Sequence, residues 1–168
     1  MTGRLSLPGD IILSWKRLEG ESGHDAAWEL LRQLHLDRTG RELPPTAVTQ
    51  RGKPYFLSES LCFSISHTKK HAFCAIGPQN LGIDAEETDR PIKLSLAEKI
   101  LSSEELSRFR EAAEPRTALL RLWVLKEAAA KRSGEGLRGY PNDTDFSPED
   151  SRIYEIDGCY VAVLTEGD

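Results

Sequence analysis

The segment LGIDAEE, residues 81–87, constrains this chain more than any other. In a strand, alternation puts Leu81, Ile83 and Ala85 on one face and Asp84 and Glu86 on the other. That is the pattern of a half-buried strand carrying two carboxylates. The two charges stand about 7 Å apart along the strand and repel unless a cation lies between them, and carboxylate oxygens are preferred ligands of Mg²⁺. A solvated acidic edge has the same pattern, and Asp-x-Glu alone does not separate the two readings.

Context comes from LWVLKEAAAKRSGEGL, residues 122–137, which is dominated by Ala, Leu, Lys and Glu and reads as a helix stopped by Gly134. At 100° per residue, Lys126, Ala130, Trp123, Glu127 and Lys131 span an arc of roughly 140°. Two lysines and a glutamate beside a tryptophan are unusual on a core-facing surface. An exposed Glu127 to Lys131 pair, worth about 0.3 kcal/mol, is the plain alternative. The functional one is that this third carboxylate joins Asp84 and Glu86 around a metal and a phosphorylated ligand.

Upstream, residues 51–77 run RGKPYFLSESLCFSISHTKKHAFCAIG. Leu61, Phe63 and Ile65 alternate with Cys62, Ser64 and Ser66, a polar break follows at Thr68–Lys70, and HAFCAIG resumes the apolar run. The segment reads as a hairpin leading into the Asp-x-Glu strand. His67 falls at a strand end, where a ligand could reach it and where a loop hydrogen bond would also suit it.

Five pieces in this order resemble the Sfp-type 4′-phosphopantetheinyl transferase family of the holo-acyl carrier protein synthase superfamily. They are GKP at 52–54, FSISHT at 63–68, GIDAE at 82–86, LSSEEL at 101–106, and WVLKEAAAK at 123–131 with GEGL after it. The resemblance covers residues 50–137 closely and the two ends only loosely. It implies an α+β fold of two similar halves about a pseudo-twofold axis, with the active site in the cleft between them. A boundary near residues 79–82 gives an N-terminal half, 1–80, and a C-terminal half, 81–168, that carries the metal ligands.

The implied reaction moves the phosphopantetheine arm of coenzyme A onto a serine of an apo acyl or peptidyl carrier protein, releasing 3′,5′-ADP. The resemblance makes Asp84, Glu86 and Glu127 the Mg²⁺ ligands, with Lys126 and Lys131 on phosphate oxygens. It places Ser66, His67 and Lys53 on the nucleotide's phosphates. Elementary chemistry agrees, because a pyrophosphate resists attack until its charge is neutralised. The family's general base falls in LSSEEL, where Glu105 is the candidate and Glu104 its competitor. Either acid also suits a helix start after Ser102 or Ser103.

A net charge of −5 and a pI near 5.5 argue against a nucleic-acid partner. The expectation is a monomeric cytoplasmic enzyme with no membrane partner, since no run approaches bilayer length and the N-terminus shows no charged leader. Ile11–Leu13 marks a first strand. Local basic runs, Lys69 with Lys70 and Arg121 to Arg132, are solvated faces or guides for acidic partners. Cys62, Cys74 and Cys159 show no metal spacing and read as reduced core side chains.

Elsewhere, residues 26–36 read as a helix, 94–113 as a helical region interrupted at 101–103, and Pro115 as a helix opener. Residues 138–150 read as a loop, and Asp157-Gly158 joins two strands of a hairpin. One departure from the family stands out: His24 and Asp25 occupy the first-helix start where basic residues are expected, leaving Lys16, Arg17 or Arg32 as substitutes. Two other functions remain open on the sequence. One is a different Mg²⁺-dependent phosphoryl-transfer enzyme; the other is a non-catalytic relative that binds coenzyme A or a carrier.

Overall fold

Where the sequence alternates, strands form, and they sort into two main sheets. The structure is a computed structural model that describes residues 1–136 and 145–167. In chain order the elements are β1 (Thr2–Leu7), β2 (Ile11–Arg17), α1 (Gly23–Thr39), β3 (Thr46–Val48), β4 (Pro54–Phe56), β5 (Cys62–His67), β6 (His71–Gly77) and β7 (Leu81–Glu87). A 3₁₀ turn then leads into α2 (Ala97–Ile100), α3 (Ser103–Glu111), α4 (Pro115–Ser133), β8 (Ile153–Ile156) and β9 (Cys159–Thr165). The sheets run β1-β2-β6-β5 and β7-β9-β8, with β3-β4 as a separate ribbon, and every ladder is antiparallel.

Alternation in β6 and β9 stacks these pieces into four layers. Ala72, Cys74 and Ile76 face α1, through Ala27, Leu30, Leu31 and Leu34. Phe73 and Ala75 point the other way, onto Leu81, Ile83, Val161 and Val163 of the second sheet. Tyr160, Ala162 and Leu164 leave that sheet's far side and pack on Leu122, Leu125 and Ala129 of α4. The order is therefore α1, first sheet, second sheet, α4, an α+β architecture with the two sheets face to face. Each fully buried Leu, Ile or Phe in these interfaces contributes about 1.5–3 kcal/mol.

Local signals account for the ends of the elements. Ser22 caps α1, its hydroxyl accepting from Asp25 N. Pro115 sits at the start of α4, and Gly134 closes it in the left-handed region at φ 72°. Ser102 and Glu105 form a reciprocal capping box on α3. Asp157 and Gly158, with φ of 47° and 76°, make the tight β8–β9 turn. Residues 94–113 break at Leu101–Ser102 as expected. Residues 138–144 of the expected loop lie outside the described residues. Among the described residues no helix is long and apolar enough to cross a membrane.

Two expectations are modified. β1 was not marked by the sequence, because it is a mostly exposed edge strand with no apolar alternation. β7 is covered on both faces rather than half-buried, since α4 lies across its carboxylate face. All three cysteines are unpaired. Cys74 and Cys159 are fully buried and Cys62 partly so, and burial pushes the Cys159 thiol up to about 12.

Gly82 makes that cover possible. A Cβ there would stand 2.2 Å from Ala128 O and 2.3 Å from Arg132 N, both backbone atoms of α4 that cannot swing aside. Gly82→Ala is expected to cost about 3 kcal/mol by overpacking, read as a lowered urea midpoint with an unchanged slope. A variant as stable as wild type would show that α4 does not rest on β7 at this point.

Candidate active site

The close approach at Gly82 brings the next side chain on that face, Asp84, against α4. Asp84 is 7% exposed. Its Oδ1 accepts from Lys131 Nζ at 2.8 Å and from Ser66 Oγ at 3.2 Å. Its Oδ2 is buried and, among the described residues, has no hydrogen-bond partner. Glu127 Oε1, reaching in from α4, is in the same condition. Lys131 thus forms its ion pair with Asp84 rather than the helical pair with Glu127.

Glu86 is turned aside. Its Oε1 accepts from the Arg90 guanidinium and from Trp123 Nε1 at 3.2 Å, while Arg90 lies 5.8 Å from the Trp123 ring centroid. The repulsion expected along β7 is therefore answered by two internal cations, Lys131 at Asp84 and Arg90 at Glu86. It is not fully answered. Burial and then the Asp84 charge raise the Glu86 pKa, and the same two causes in the same order push Glu127 up to about 7.

With the side chains in these positions, no three His, Cys, Asp or Glu residues among those described are grouped to hold a metal ion. The donor set nevertheless suits a hard divalent cation. Two buried, unpartnered carboxylate oxygens, at Asp84 and Glu127, are the ligands Mg²⁺ favours, and Mg²⁺ completes its shell with water and phosphate oxygens. Glu86 could join only by leaving Arg90 and Trp123.

Two cavities border the carboxylates. One of about 370 Å³ is lined by Lys53, Phe63, Ile65, Glu127, Ala130 and Lys131 among others. The other, of about 900 Å³, is lined by Gly23, His67, Lys69, Lys70, Glu86 and Arg90 among others. His67 is exposed at the end of β5, its ring packed on the first residue of α1. A Cβ at Gly23 would come within 2.7 Å of that ring.

The remaining sequence candidates are engaged elsewhere. Ser66 binds Asp84 and, through the same Oγ, accepts from Ala85 N at 3.2 Å. Lys53 donates to Asn80 Oδ1 at 2.5 Å and to Arg132 O at 2.6 Å, the latter in the last turn of α4, and burial lowers its pKa. Glu105 and Lys126 are placed in the core, each 0% exposed, as an ion pair of 2.8 Å. Glu104 is exposed. Lys16, one of the possible substitutes at the first helix, is held by Glu21 at 2.9 Å and Glu29 at 3.2 Å.

Sequence reasoning missed Ser64, Asn80, Arg90 and Trp123's bond to Glu86. Ser64 could have been found, because it shares the face of Ser66 two residues on, and its Oγ likewise accepts from Ile83 N at 3.1 Å. Arg90 lies past the strand end, where period-2 reasoning stops.

Residues 80–160 match the sequence model of the 4′-phosphopantetheinyl transferase superfamily. The 4′-phosphopantetheinyl transferase Sfp of Bacillus subtilis is 36% identical over 109 residues, 63% of this chain and 47% of that protein. A second Bacillus subtilis 4′-phosphopantetheinyl transferase is 30% identical over 93 residues, 54% of this chain and 41% of that one. A Haemophilus influenzae protein, provisionally named as such a transferase, is 32% identical over 111 residues, with 63% and 47% covered. The chain thus spans less than half the length of these relatives. The stretch 80–160 matched by the family model holds Asp84, Glu86 and Glu127 and does not reach Lys53, Ser66 or His67.

The raised Glu127 value has a consequence for stability. Between the ordinary carboxylate value of 4.5 and about 7, the folded protein keeps a proton that the unfolded chain has released. Stability is therefore undiminished below pH 4.5, falls as pH rises, and the full penalty is present above 7. Solvent screening of this partly exposed side chain leaves about 1–2 kcal/mol. In metal-free buffer, Glu127→Gln should gain about that much relative to wild type between pH 5 and pH 8 in urea unfolding. A difference between the two proteins that stays constant with pH would exclude the buried charge as its source.

Proposed function

We propose that this chain, whose residues 80–160 match the 4′-phosphopantetheinyl transferase superfamily, belongs to that superfamily and transfers the phosphopantetheine arm of coenzyme A to a serine of an acyl or peptidyl carrier protein. The observation that carries the reading is the pair of buried, unpartnered oxygens on Asp84 and Glu127, beside the Lys131 ammonium, with Glu127 and Lys131 lining one cavity and Glu86 the other. A site that desolvates two carboxylates without pairing them has a cation as its natural complement.

In this reading Asp84 and Glu127 hold Mg²⁺, with Glu86 as third ligand once released from Arg90. When bound, the ion would neutralise the pyrophosphate and polarise the phosphorus under attack. The chain's own groups bind and orient. Lys131 bridges Asp84 and an incoming phosphate oxygen, and His67, exposed beside the α1 N-terminus, contributes a hydrogen bond to the nucleotide's phosphates. Ser66 holds Asp84 in place. The carrier serine oxygen forms the new bond to phosphorus as its proton passes to solvent water, the bond from phosphorus to the bridging oxygen breaks, and 3′,5′-ADP leaves with that oxygen.

We read the halves 1–80 and 81–168 as meeting at this site, since the four-stranded sheet is built from residues 2–77 and the three-stranded one from 81–165. Two unpaired buried cysteines suit a reducing cytoplasm, and the reading is of a monomer acting there.

Intact-mass spectrometry of apo carrier proteins incubated with this protein, coenzyme A and Mg²⁺ tests the proposal. A Mg²⁺-dependent gain of one phosphopantetheine on a carrier serine is expected. Asp84→Ala and Glu127→Ala should each cut the rate by more than about a hundredfold, since even outer-shell partners of metal ligands are worth 10–100-fold. His67→Ala should raise the KM for coenzyme A more than that for the carrier. Full activity in the Asp84 and Glu127 variants would remove the metal assignment, and no gain on any carrier would remove the transferase reading.

A further inference from the structure

Leu106 and Phe109 of α3 pack, partly buried, on the core, but the only fully buried residue of this helix is Glu105, so its most deeply placed anchor is a carboxylate. An ion pair taken out of water is tolerated only when further hydrogen bonds satisfy the remaining lone pairs. Glu105 has them. Oε2 accepts from Ser102 N at 2.9 Å and faces Lys126 Nζ at 2.8 Å, and Oε1 accepts from Phe146 N at 2.9 Å. One carboxylate thus closes the α3 cap, fixes the backbone at residue 146 and anchors α4.

A proton acceptor for an incoming serine must come within about 3 Å of its hydroxyl or reach it through one water. Glu105 has no exposed surface, both of its oxygens are engaged, and neither it nor Lys126 lines the two cavities at the carboxylates. Lys126 immediately precedes Glu127 and lies five residues before Lys131. Locking its side chain into the core fixes the rotation of α4, and at 100° per residue that rotation decides where Glu127 and Lys131 point.

We propose that Glu105 and Lys126 are a positioning pair: their buried contact sets the register of α4 against β7, so that Glu127 and Lys131 meet Asp84. The pair acts on the site through α4 and takes no proton from substrate. The inference rests on the transferase reading for its kinetic test alone.

Mg²⁺ affinity, measured by calorimetry, reads the positioning directly. Lys126→Met strands a buried carboxylate and should weaken Mg²⁺ by about tenfold or more. Adding Glu105→Gln gives a neutral pair that keeps an acceptor for the cap, and should restore the affinity to within about threefold of wild type. In that double variant kcat should fall by no more than about tenfold, with the pH profile unmoved. Wild-type Mg²⁺ and coenzyme A binding with kcat down by about 10²–10⁴ would make Glu105 the base and overturn the proposal.

Should the variants not fold, native wild-type protein decides the matter. Carbodiimide should label Glu104 and leave Glu105 untouched, and an amine reagent should leave Lys126 unmodified until the chain is denatured. Labelling of either residue in the folded protein would overturn the assignment. If wild type transfers nothing, the transferase reading fails while Mg²⁺ affinity and labelling still decide the role of the pair.

Discussion

The structure turns on two serine hydroxyls. β7 spends one edge on β9, and its other edge meets β5 without a backbone ladder. There Ser64 Oγ accepts from Ile83 N at 3.1 Å and Ser66 Oγ from Ala85 N at 3.2 Å. An unpaired buried amide costs about 1–3 kcal/mol, so these side chains do the work of a missing ladder at the seam between the two sheets. Because the hydroxyls stand in for backbone, the strands can lie in different sheets and still be joined. Ser66 goes further, since the same oxygen donates to Asp84. The contact that joins the sheets also aims the central carboxylate.

Two kinds of buried acid separate clearly on this frame. Glu105 is wholly enclosed and wholly satisfied, with a lysine and two backbone amides on its two oxygens. Asp84 and Glu127 are enclosed and each keeps one oxygen with no partner among the described residues. Desolvation penalises the charge of both kinds. Pairing decides which acid is structural and which waits for a ligand. Lys53 belongs with the first kind. Its ammonium lies on Arg132 O in the last turn of α4, a favourable place for a cation, and with Asn80 it ties the loop at 49–53 to that helix end.

Much of the fold was legible because one-dimensional period translates into a face. LGIDAEE gave its two faces correctly, the hairpin turns at Thr68–Lys70 and Asp157-Gly158 fell where expected, and Pro115 and Gly134 bounded α4. Period does not name the partner on a face. The spacing from Lys126 to Lys131 predicts one functional surface, but an arc of roughly 140° on a helix lying against a sheet has a core-facing margin, and Lys126 falls there. Ser66, His67 and Lys53 were assigned by resemblance to phosphate. Two of the three hold the protein's own atoms in this structure, which only the packing of β5 on β7 and of residue 53 on α4 could reveal. β1 stayed invisible because an exposed edge strand needs no apolar repeat.

The same packing sets the energetic character of the site. α4 is pressed onto β7 because Gly82 offers no Cβ, and the pressure removes water from Asp84 and Glu127 before any ligand arrives. Water would otherwise have to be stripped from both carboxylates as a cation binds. Folding has already done that, at a cost visible in the raised Glu127 pKa, which Lys131, ion-paired with Asp84, offsets only in part. On the proposed metal reading, a cation entering the site would meet oxygens that are dehydrated and fixed by Ser66, Lys131 and the α4 backbone, so its binding would recover free energy that the fold has withheld. On the same reading, local instability in the unliganded protein and affinity for the cation would be two expressions of one arrangement. A substitution that relieves the first by neutralising Glu127 must weaken the second.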